Sequence, residues 1–478
     1  MNVIKEIDLD EVDRLVENEL VFIRKYVAEI PDSLISAFAP EFEDMSEDEV
    51  RRKQEEIYSM YRLSVNHEAL AIQLALYREA DVILKPERYS IKTDGSVKLF
   101  TRGESVIKAH IKDFGDSPEE IENNLREWMQ ITVNSKYEAK EVIPLQGHTD
   151  VKRAKEIVNE YPTLYPAVIL TVGFGIKPNR LTLRQFVPRY IPLFYYDGRP
   201  QHIIQITNTE TGKSSFAARL EFLLNFTTFS EFPSAARLIY DGRTGAKGAV
   251  FLSNGVVIDE IDKLRKERFE EAYQTLNTGL ENGIWRRGVQ AKSGITMQGY
   301  RRIPFILFGN ILKGENPLSE FITGNTRSEI NAMLERLTGQ SIYSFIERFA
   351  IVDITPQKVN ISSHLIRNEQ RVVGFMRDSV LRGLIKLFSK MIPYESVTDD
   401  VHVSGRLERH CEAVYNIVTM LLANEPDIHI VEEVVTGDRD FMYILDDTYD
   451  ERSGQKNDNT TYQVYEDGVF EEYDLRTM

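Results

Sequence analysis

The sequence predicts an α/β fold built around a mostly parallel β-sheet. Across residues 201–355, apolar runs of strand length alternate with helical patterns, which is typical of parallel strands joined by crossover helices. One run leads into a Gly-Lys-Ser turn, a second ends in an Asp-Glu pair, and a third ends in an asparagine. These three runs predict the core of a central domain, residues 156–355.

The composition is that of a globular protein with room for about three domains. The chain has 478 residues, of which 42% are hydrophobic and 28% charged. Its one cysteine, Cys411, excludes an intrachain disulfide and a multi-cysteine zinc site, and fits a reducing cytoplasm. No apolar run approaches about 18 residues and no basic-then-apolar start is present, so we expect a cytoplasmic protein without a membrane span or signal peptide. The net charge of −17 argues against a surface that coats nucleic acid non-specifically.

Residues 1–155 predict a mixed α/β domain. Apolar residues recur at helical spacing after Asp8, and residues 69–80 are strong helix formers. Between residues 82 and 99 the pattern changes to short β-rich runs with a turn at Asp94-Gly95-Ser96. No arrangement of catalytic side chains stands out here. We therefore interpret this domain as one for oligomerisation or for docking a partner or DNA.

The carboxyl-terminal part predicts an all-helical lid, residues 356–430, and an acidic tail, residues 431–478. In the lid, apolar positions such as Val372, Val373 and Phe375 recur near helical spacing, and a second amphipathic run follows. The segment from 441 to 478 holds ten acidic and three basic side chains, a net charge of −7, among turn-forming residues. We expect partial disorder in this tail.

The Gly-Lys-Ser turn has the chemistry of a phosphate-binding loop. A turn between a buried strand and a helix presents main-chain N–H groups and the positive helix end to a polyphosphate. Gly212 lets the main chain approach, Lys213 would reach the β- and γ-phosphates, and Ser214 would hold Mg²⁺. The residues expected around ATP are Thr209, Glu210, Thr211, Gly212, Lys213, Ser214 and Ser215. The usual pattern has glycine at the position of Thr207, and the alternative is a surface turn that contains Gly-Lys-Ser by chance.

The two later strands supply the other groups that triphosphate hydrolysis needs. Asp259 follows the apolar run 256–258, where its carboxylate would orient Mg²⁺ through water, and Glu260 would act as general base toward the attacking water. Asn310 ends the third run and would orient the water or the γ-phosphate. The alternatives are a solvated acidic helix start and an asparagine that caps a loop. Order, spacing and strand context together favour an ATPase that uses ATP and Mg²⁺.

A basic segment lies between the acidic pair and the third run. Two short β-like arms within residues 280–296 carry Arg286, Arg287 and Lys292. A hairpin with these residues at or near its tip could reach into a central channel and contact the phosphates of DNA or RNA. The alternative is an exposed turn with ordinary solubilising charges.

These motifs resemble those of the AAA+ ATPases, within the clade that carries a hairpin before the sensor-1 strand. Residues 251–264 and 290–295 are similar to the minichromosome maintenance (MCM) helicases. In that family a glycine-containing turn precedes an apolar strand ending in Asp-Glu, and an Ala-Lys-Ala-Gly-Ile run belongs to the hairpin. Glu347-Arg348-Phe349 resembles the family's Ser-Arg-Phe arginine-finger motif, and residues 404–408 resemble its second-sensor motif. The resemblance covers about residues 200–425 of the chain and does not extend to a zinc-binding cysteine cluster.

The resemblance implies a P-loop AAA+ core and a homo-oligomer, a hexameric ring with ATP sites between subunits. Arg348 would then reach the γ-phosphate of the neighbouring subunit and stabilise charge in trans. Arg406 is the candidate second sensor, with Arg409, nearly one helical turn away, as the fallback. Alternatively, Arg348 or Arg406 could simply form an ion pair at the surface.

Three functions fit these features. The first is a hexameric DNA translocase or helicase of a mobile or archaeal-like replication system. The second is a DNA-binding ATPase similar to the Lon-like ATPases of phage-defence systems. The third is a scaffold that binds nucleotide in order to assemble and has no motor activity.

Overall fold

A computed structural model gives the architecture of the chain. The residues it describes are 8–42, 45–86, 88–117, 120–121, 124–125, 128–145, 149–178, 180–241, 246–261, 275–288, 296–310, 348–353, 372–394, 405–422, 461–466 and 469–474. They form a mixed α/β structure with one larger parallel sheet and several antiparallel sheets. The α/β class and the parallel sheet predicted from the sequence are therefore confirmed.

The amino-terminal region is a set of helices around one strand. The elements are α1 (Leu9–Glu19), β1 (Leu20–Arg24), α2 (Asp32–Ala37), α3 (Ala39–Phe42) and α4 (Glu47–Val65). Asp8 starts α1 by accepting hydrogen bonds from the N–H groups of Asp10 and Glu11. At the start of α4, Glu49 accepts the N–H of Ser46. These acceptors satisfy N–H groups that the first helical turn leaves without a partner, and so fix where each helix begins.

Residues 67–144 form a small α/β module. Its elements are α5 (His67–Tyr77), β2 (Glu79–Leu84), β3 (Arg88–Ile91), β4 (Ser96–Phe100), β5 (Val106–His110), β6 (Met129–Asn134) and β7 (Ala139–Pro144). The strands form two three-stranded antiparallel sheets, in the orders β2-β6-β7 and β3-β4-β5. The turn predicted at Asp94-Gly95-Ser96 joins β3 to β4, and both the N–H and the hydroxyl of Ser96 donate to Asp94.

Three helices lead from this module to the central sheet. The elements are α6 (Val151–Glu160), α7 (Pro166–Gly173), α8 (Arg180–Tyr190), β8 (Tyr195–Tyr196) and β9 (Arg199–Pro200). Helix α7 is buried at every position after its first, and Pro166 begins it, where a missing N–H costs no helical hydrogen bond. The aromatic rings of this segment pack against each other and against Phe216, whose ring centre lies 4.7 Å from that of Phe174. They form part of the larger hydrophobic core.

Five parallel strands make the central sheet. The elements of this region are β10 (Ile203–Thr207), α9 (Lys213–Leu223), β11 (Phe226–Phe229), α10 (Ala235–Leu238), α11 (Ala249–Leu252), β12 (Gly255–Ile258), β13 (Ile284–Gly288), β14 (Thr296–Tyr300), β15 (Phe305–Asn310) and β16 (Ile351–Asp353). The order across the sheet is β11-β12-β15-β10-β16, and each neighbouring pair is parallel. Strands β10 and β12 are buried at every residue, as apolar strands covered on both faces are.

The segment predicted as an all-helical lid contains a strand. Strand β17 (Val372–Met376) pairs antiparallel with β1, with Met376 opposite Leu20. The all-helical prediction is wrong here because so short an apolar run fits both the helical and the strand period, and its two adjacent valines favour the strand. Helices α12 (Asp378–Phe388) and α13 (Gly405–Leu422) follow. The second predicted run therefore forms a helix, whereas the first run begins with the strand β17 and is helical only after it.

Part of the acidic tail forms a hairpin. Strands β18 (Thr461–Glu466) and β19 (Val469–Asp474) pair antiparallel. The rest of the tail lies outside the described residues, so the expected partial disorder stays a prediction. The sequence analysis did not predict the hairpin itself.

Two hydrophobic clusters hold these elements together. The larger joins the amino-terminal helices, the helices before the central sheet, the sheet itself, α12 and α13. The smaller lies almost wholly within residues 67–144 and includes Leu252 from α11. Residues 1–155, which the sequence suggests as one domain, thus contribute to two cores. Within the described part of the chain, no helix combines the length and the hydropathy that crossing a membrane requires.

Candidate functional site

The predicted phosphate, metal and water residues meet at one edge of the central sheet. Thr207 ends β10, Asp259 follows β12, and Asn310 ends β15. Parallel strands bring their carboxyl ends to the same edge, which is where open α/β sheets bind ligands. Thr207 is directly opposite Asn310, and β15 lies between β12 and β10. Asn310 therefore stands between the phosphate loop and the acidic pair.

The loop predicted to bind phosphate, called the phosphate loop below for that prediction, turns sharply between β10 and α9. Glu210 and Gly212 adopt left-handed conformations, with φ of 64° and 75°. Gly212 does so without the steric cost that a side chain brings. Around this turn four of the predicted ligand residues are exposed, namely Thr209, Glu210, Ser214 and Ser215. The helix start that follows the turn is thus open to an anion from solvent.

Lys213 is folded over the loop and only 5% exposed. Its Nζ donates to the Asn208 carbonyl at 2.8 Å, to the Thr207 hydroxyl at 3.0 Å and to the Thr211 hydroxyl at 3.2 Å. Thr207, where the usual pattern has glycine, supplies one of these acceptors. Oxygens of the loop itself therefore hold the ammonium beside the residues expected to surround phosphate.

Ser214 and Asp259, the two candidate metal residues, are in contact. The Ser214 hydroxyl donates to Asp259 Oδ2 at 2.6 Å, and Asp259 Oδ1 accepts the N–H of Glu260 at 3.0 Å. Glu260 has a φ of 59°, a conformation that costs a non-glycine residue on the order of 1 kcal/mol. Strain of this kind often accompanies a functional position. The structure thus joins the end of β12 to the start of α9 through the side chains predicted to hold Mg²⁺.

Arg348 lies at the opposite edge of the sheet, just before β16. It is 7% exposed, its Nε donates to the Asn277 carbonyl at 2.8 Å, and its Nη2 is 2.9 Å from Glu281 Oε2. A five-residue strand such as β10 spans about 13 Å from end to end. Arg348 therefore cannot reach the phosphate loop of its own chain, and the predicted finger requires a neighbouring protomer.

A cavity of about 220 Å³ opens beside Arg348. Arg199, Arg302 and Arg409 also line it. Arg409 comes from α13, so the structure brings the fallback second sensor and the predicted finger to one cavity at the amino edge of the sheet. Arg406 is the second residue of the same helix, and its side chain lies outside the described residues.

The basic hairpin is present, and its two described arginines differ in environment. Strands β13 and β14 pair antiparallel. Arg286 is exposed and its Nε donates to Gln298 Oε1 at 2.9 Å. Arg287 is half-buried and its guanidinium donates to the Tyr240 carbonyl. Arg286 is therefore more accessible to an external phosphate than Arg287, and Lys292 lies outside the described residues.

One residue at this site was missed by the sequence analysis. Arg189 of α8 is fully buried, and its guanidinium donates to Gln205 in β10 and to both the carbonyl and the hydroxyl of Thr211 in the phosphate loop. The sequence motifs assigned it no role. The signal that points to it is Gln205 itself, because a polar side chain inside a buried apolar strand needs a polar partner.

The chain is similar to proteins of several viruses. An uncharacterized protein of Sulfolobus islandicus rod-shaped virus 1 is 27% identical over 400 residues, which cover 79% of this chain and 85% of that protein. An uncharacterized protein of Acidianus filamentous virus 2 is 28% identical over 295 residues, or 57% of this chain and 66% of that protein. One of Acidianus filamentous virus 1 is 24% identical over 381 residues, or 75% and 85% of the two chains. No protein-family model matches the sequence.

Proposed function

We propose that the protein is a Mg²⁺-dependent AAA+ ATPase that assembles as a ring and acts on DNA, as an MCM-like helicase or translocase. The observation that carries the proposal is the 2.6 Å hydrogen bond between Ser214 and Asp259. It joins the phosphate loop to the acidic strand at the place where a hydrolysable triphosphate and its metal are held in this kind of site. The relatives of the chain are virus proteins, which agrees with an origin in a mobile element and carries no information about replication.

The donors at this edge fit Mg²⁺. A serine hydroxyl and a carboxylate are hard oxygen donors, the kind that Mg²⁺ prefers, and one is already within 2.6 Å of the other. Ser214 would hold the ion directly and Asp259 would hold it through water. Bound Mg²⁺ would neutralise charge on the phosphate oxygens.

The residues of the chain divide the hydrolysis between them. Lys213 would exchange the oxygens of its own loop for β- and γ-phosphate oxygens. Glu260 would accept a proton from the attacking water as the new P–O bond forms and the bond to the bridging oxygen breaks, which leaves ADP and phosphate. Asn310 would hold the water or the γ-phosphate in line, from its position between the phosphate loop and the acidic pair Asp259 and Glu260.

Completion of the site depends on a second copy of the chain. Arg348 lies at the amino edge of the sheet, at least the length of a strand from the phosphate loop of its own chain. A neighbour that presents its triphosphate to this edge would receive Arg348 in trans, with Arg406 or Arg409 nearby. This arrangement favours a closed ring, for which a hexamer is the form that the MCM resemblance implies.

DNA would contact the hairpin of β13 and β14. The exposed Arg286 is the described residue that supports this assignment, because charge-assisted contacts to phosphate supply most sequence-independent affinity for nucleic acid. Lys292 would add to the same surface. Because the net charge of the chain is −17, nucleic acid would bind at local basic segments and not over the whole surface.

The test is ATP turnover with and without DNA, together with equilibrium binding of ATP. We expect Lys213→Ala to abolish ATP binding, and Glu260→Gln to retain ATP while turnover falls by about 10²- to 10⁴-fold. Lys136→Ala is the control for the first change because Lys136 is exposed and lies between β6 and β7, outside the residues of the proposed site. Glu104→Gln is the control for the second because Glu104 shares the positive φ of Glu260, at 62°.

The outcomes separate the candidate functions. Turnover that both site variants leave unchanged would remove the site assignment. ATP-dependent assembly without turnover would favour the scaffold. Strand displacement by the wild type, lost in an Arg286→Ala/Arg287→Ala variant that keeps basal turnover, would favour the motor.

A further inference from the structure

The phosphate loop rests on a fully buried arginine. Arg189 Nε donates to Gln205 Oε1 at 2.6 Å, Nη1 donates to the Thr211 carbonyl at 2.8 Å, and Nη2 lies 3.4 Å from the Thr211 hydroxyl. Its guanidinium also lies 4.3 Å from the centre of the Phe186 ring. Removal of an arginine from water is costly unless its hydrogen bonds are satisfied, and here the loop and β10 supply acceptors for it.

The charge of Arg189 is only partly balanced. Among the described residues, no carboxylate oxygen lies within ion-pair distance of its guanidinium. The nearest acidic link is indirect, because Gln205 Nε2 donates to Asp353 Oδ2 at 2.8 Å. Burial lowers the pKa of Arg189 to about 10, against the opposing effect of the Asp353 charge, and the side chain stays protonated at neutral pH. A positive charge therefore remains beneath the loop.

Two cations meet at one hydroxyl. Lys213 Nζ lies 3.2 Å from the Thr211 hydroxyl oxygen, which is also 3.4 Å from Arg189 Nη2. The same oxygen lies 3.1 Å from the Thr207 hydroxyl. A polyphosphate bound at the loop would thus be close to two buried positive charges, of which the sequence motif contains one.

The hydrogen bond to the Thr211 carbonyl also fixes a direction. A trans peptide plane directs its C=O and its N–H to opposite sides. Because Arg189 holds the Thr211 carbonyl toward the interior, the N–H of Gly212 in the same peptide faces away from Arg189. That is the orientation a phosphate-binding loop needs, since its N–H groups must face the ligand.

We propose that Arg189 is a positioning residue for the polyphosphate of the bound nucleotide. It holds the Thr211–Gly212 peptide in its phosphate-facing orientation and adds a buried positive charge beneath Lys213. This inference rests on the proposed function, since it assigns Arg189 to the site where ATP would bind. It predicts that substitution of Arg189 weakens nucleotide binding more than the accompanying loss of stability can explain.

The experiment compares two buried arginines. Arg189→Gln removes the charge and the forked donors. Arg219→Gln is the matched control, because Arg219 is 4% exposed and donates to a main-chain carbonyl, that of Gly173 at 2.7 Å, outside the loop. We expect Arg189→Gln to weaken ATP and ADP binding by about tenfold or more, the loss that one charge-assisted hydrogen bond represents. We expect Arg219→Gln to change binding by less than about twofold at a comparable loss of melting temperature.

A second pair of variants separates charge from folding. Arg189→Lys keeps the charge and loses the fork, so we expect it to recover part of the lost affinity. Gln205→Glu alone would set a carboxylate against Asp353, which now accepts from Gln205 at 2.8 Å, so the variant is combined with Asp353→Asn, whose amide can donate in return. The double variant Gln205→Glu/Asp353→Asn places a carboxylate beside Arg189 at unchanged net charge, so we expect weaker ATP binding in a folded protein. A purely structural role would predict no loss of affinity in this double variant beyond its loss of stability.

The result that overturns the inference is equal ATP affinity in wild type and Arg189→Gln, or equal losses in Arg189→Gln and Arg219→Gln. If Arg189→Gln does not fold, wild-type affinity in both Arg189→Lys and Gln205→Glu/Asp353→Asn overturns it. Lys213→Ala shows which idea has failed. If ATP binds to wild type and not to Lys213→Ala, an unaffected Arg189→Gln rejects only the role of Arg189. If Lys213→Ala binds like wild type, the proposed function fails, and this inference with it.

Discussion

Glu281 holds Arg348 in an ion pair of 2.9 Å, and Glu281 stands three residues before the basic hairpin. The arginine that would complete a neighbour's ATP site is therefore attached to the base of the element that would contact DNA. Arg348 must leave this ion pair, or share it, in order to reach a phosphate of another chain. Contact between DNA and the hairpin could thus influence ATP turnover through one side chain.

Complementation in mixed assemblies should show whether Arg348 acts in trans. We expect Arg348→Ala to lower turnover by about 10³-fold or more, the scale of arginine fingers, and Lys213→Ala to be inactive. A mixture of the two should regain turnover, because a site with Lys213 from one chain and Arg348 from the next is intact. ATPase rate against mixing ratio is the measurement.

A second mixture controls for non-specific rescue. Lys213 and Glu260 both belong to the carboxyl edge of the sheet, so each variant damages the ATP site of its own chain. Every site in the mixture therefore lacks either Lys213 or Glu260. We expect no recovery there. Recovery in this control, or none in the first mixture, would contradict the assignment of Arg348.

Asp259 should determine the metal requirement. Asp259→Asn keeps an oxygen near the Ser214 hydroxyl but removes the charge that would orient Mg²⁺ through water. We expect the Mg²⁺ concentration for half-maximal turnover to rise by about 10- to 100-fold, as for other residues that hold a metal indirectly. ATP binding in excess EDTA should change little, and an unaltered Mg²⁺ dependence would argue against a metal at this position.

The two hairpin arginines should separate into different roles. Arg286 is exposed, so Arg286→Ala should weaken DNA binding and reduce the slope of log affinity against log salt by about 0.7 to 0.9, the value for one lost phosphate contact. Arg287 donates to the Tyr240 carbonyl, so Arg287→Ala should lower the unfolding temperature more than Arg286→Ala does. Salt titrations of DNA binding and thermal unfolding of both variants are the measurements, and identical behaviour would contradict the distinction.

The sequence was most informative where a residue type has a specific chemical use. Gly212 before Lys213 and Ser214, and an acidic pair after an apolar strand, were enough to predict that Ser214 and Asp259 serve one Mg²⁺ ion. The structure places their side chains in contact at one edge of the sheet. Strand order made this contact possible, and strand order depends on tertiary packing that a local pattern does not contain.

The errors have a common physical origin in pairing across long distances in the chain. Strand β17 forms because it pairs with β1. That partner lies some 350 residues earlier in the chain, and nothing in the sequence near residue 372 indicates it. The role of Arg189 likewise depends on contacts with Gln205 and Thr211 that only the fold creates. Local periodicity is weakest for such short segments and isolated polar side chains.

His202, just before β10, should make stability depend on pH. It is 4% exposed, its Nδ1 accepts the N–H of Phe305 at 3.1 Å, and its Nε2 lies 3.3 Å from the Leu280 carbonyl oxygen. A neutral ring with its proton on Nε2 satisfies both contacts, whereas a second proton on Nδ1 would oppose the Phe305 N–H. Burial lowers the pKa of His202 to about 4, while its bond to Leu280 acts in the opposite direction.

The direction of the pH effect follows from proton binding. Between pH 6.5 and 4 the unfolded chain binds a proton at His202 that the folded chain does not, so stability falls as pH falls through this window. The loss amounts to about 3 kcal/mol at its full extent. Urea unfolding at pH 7 and pH 4.5 should therefore show a smaller difference for His202→Gln than for wild type, because glutamine does not titrate. His110→Gln, a change at an exposed histidine, is the control and should keep the wild-type difference. A wild-type difference in His202→Gln as well would show that other groups cause the acid sensitivity.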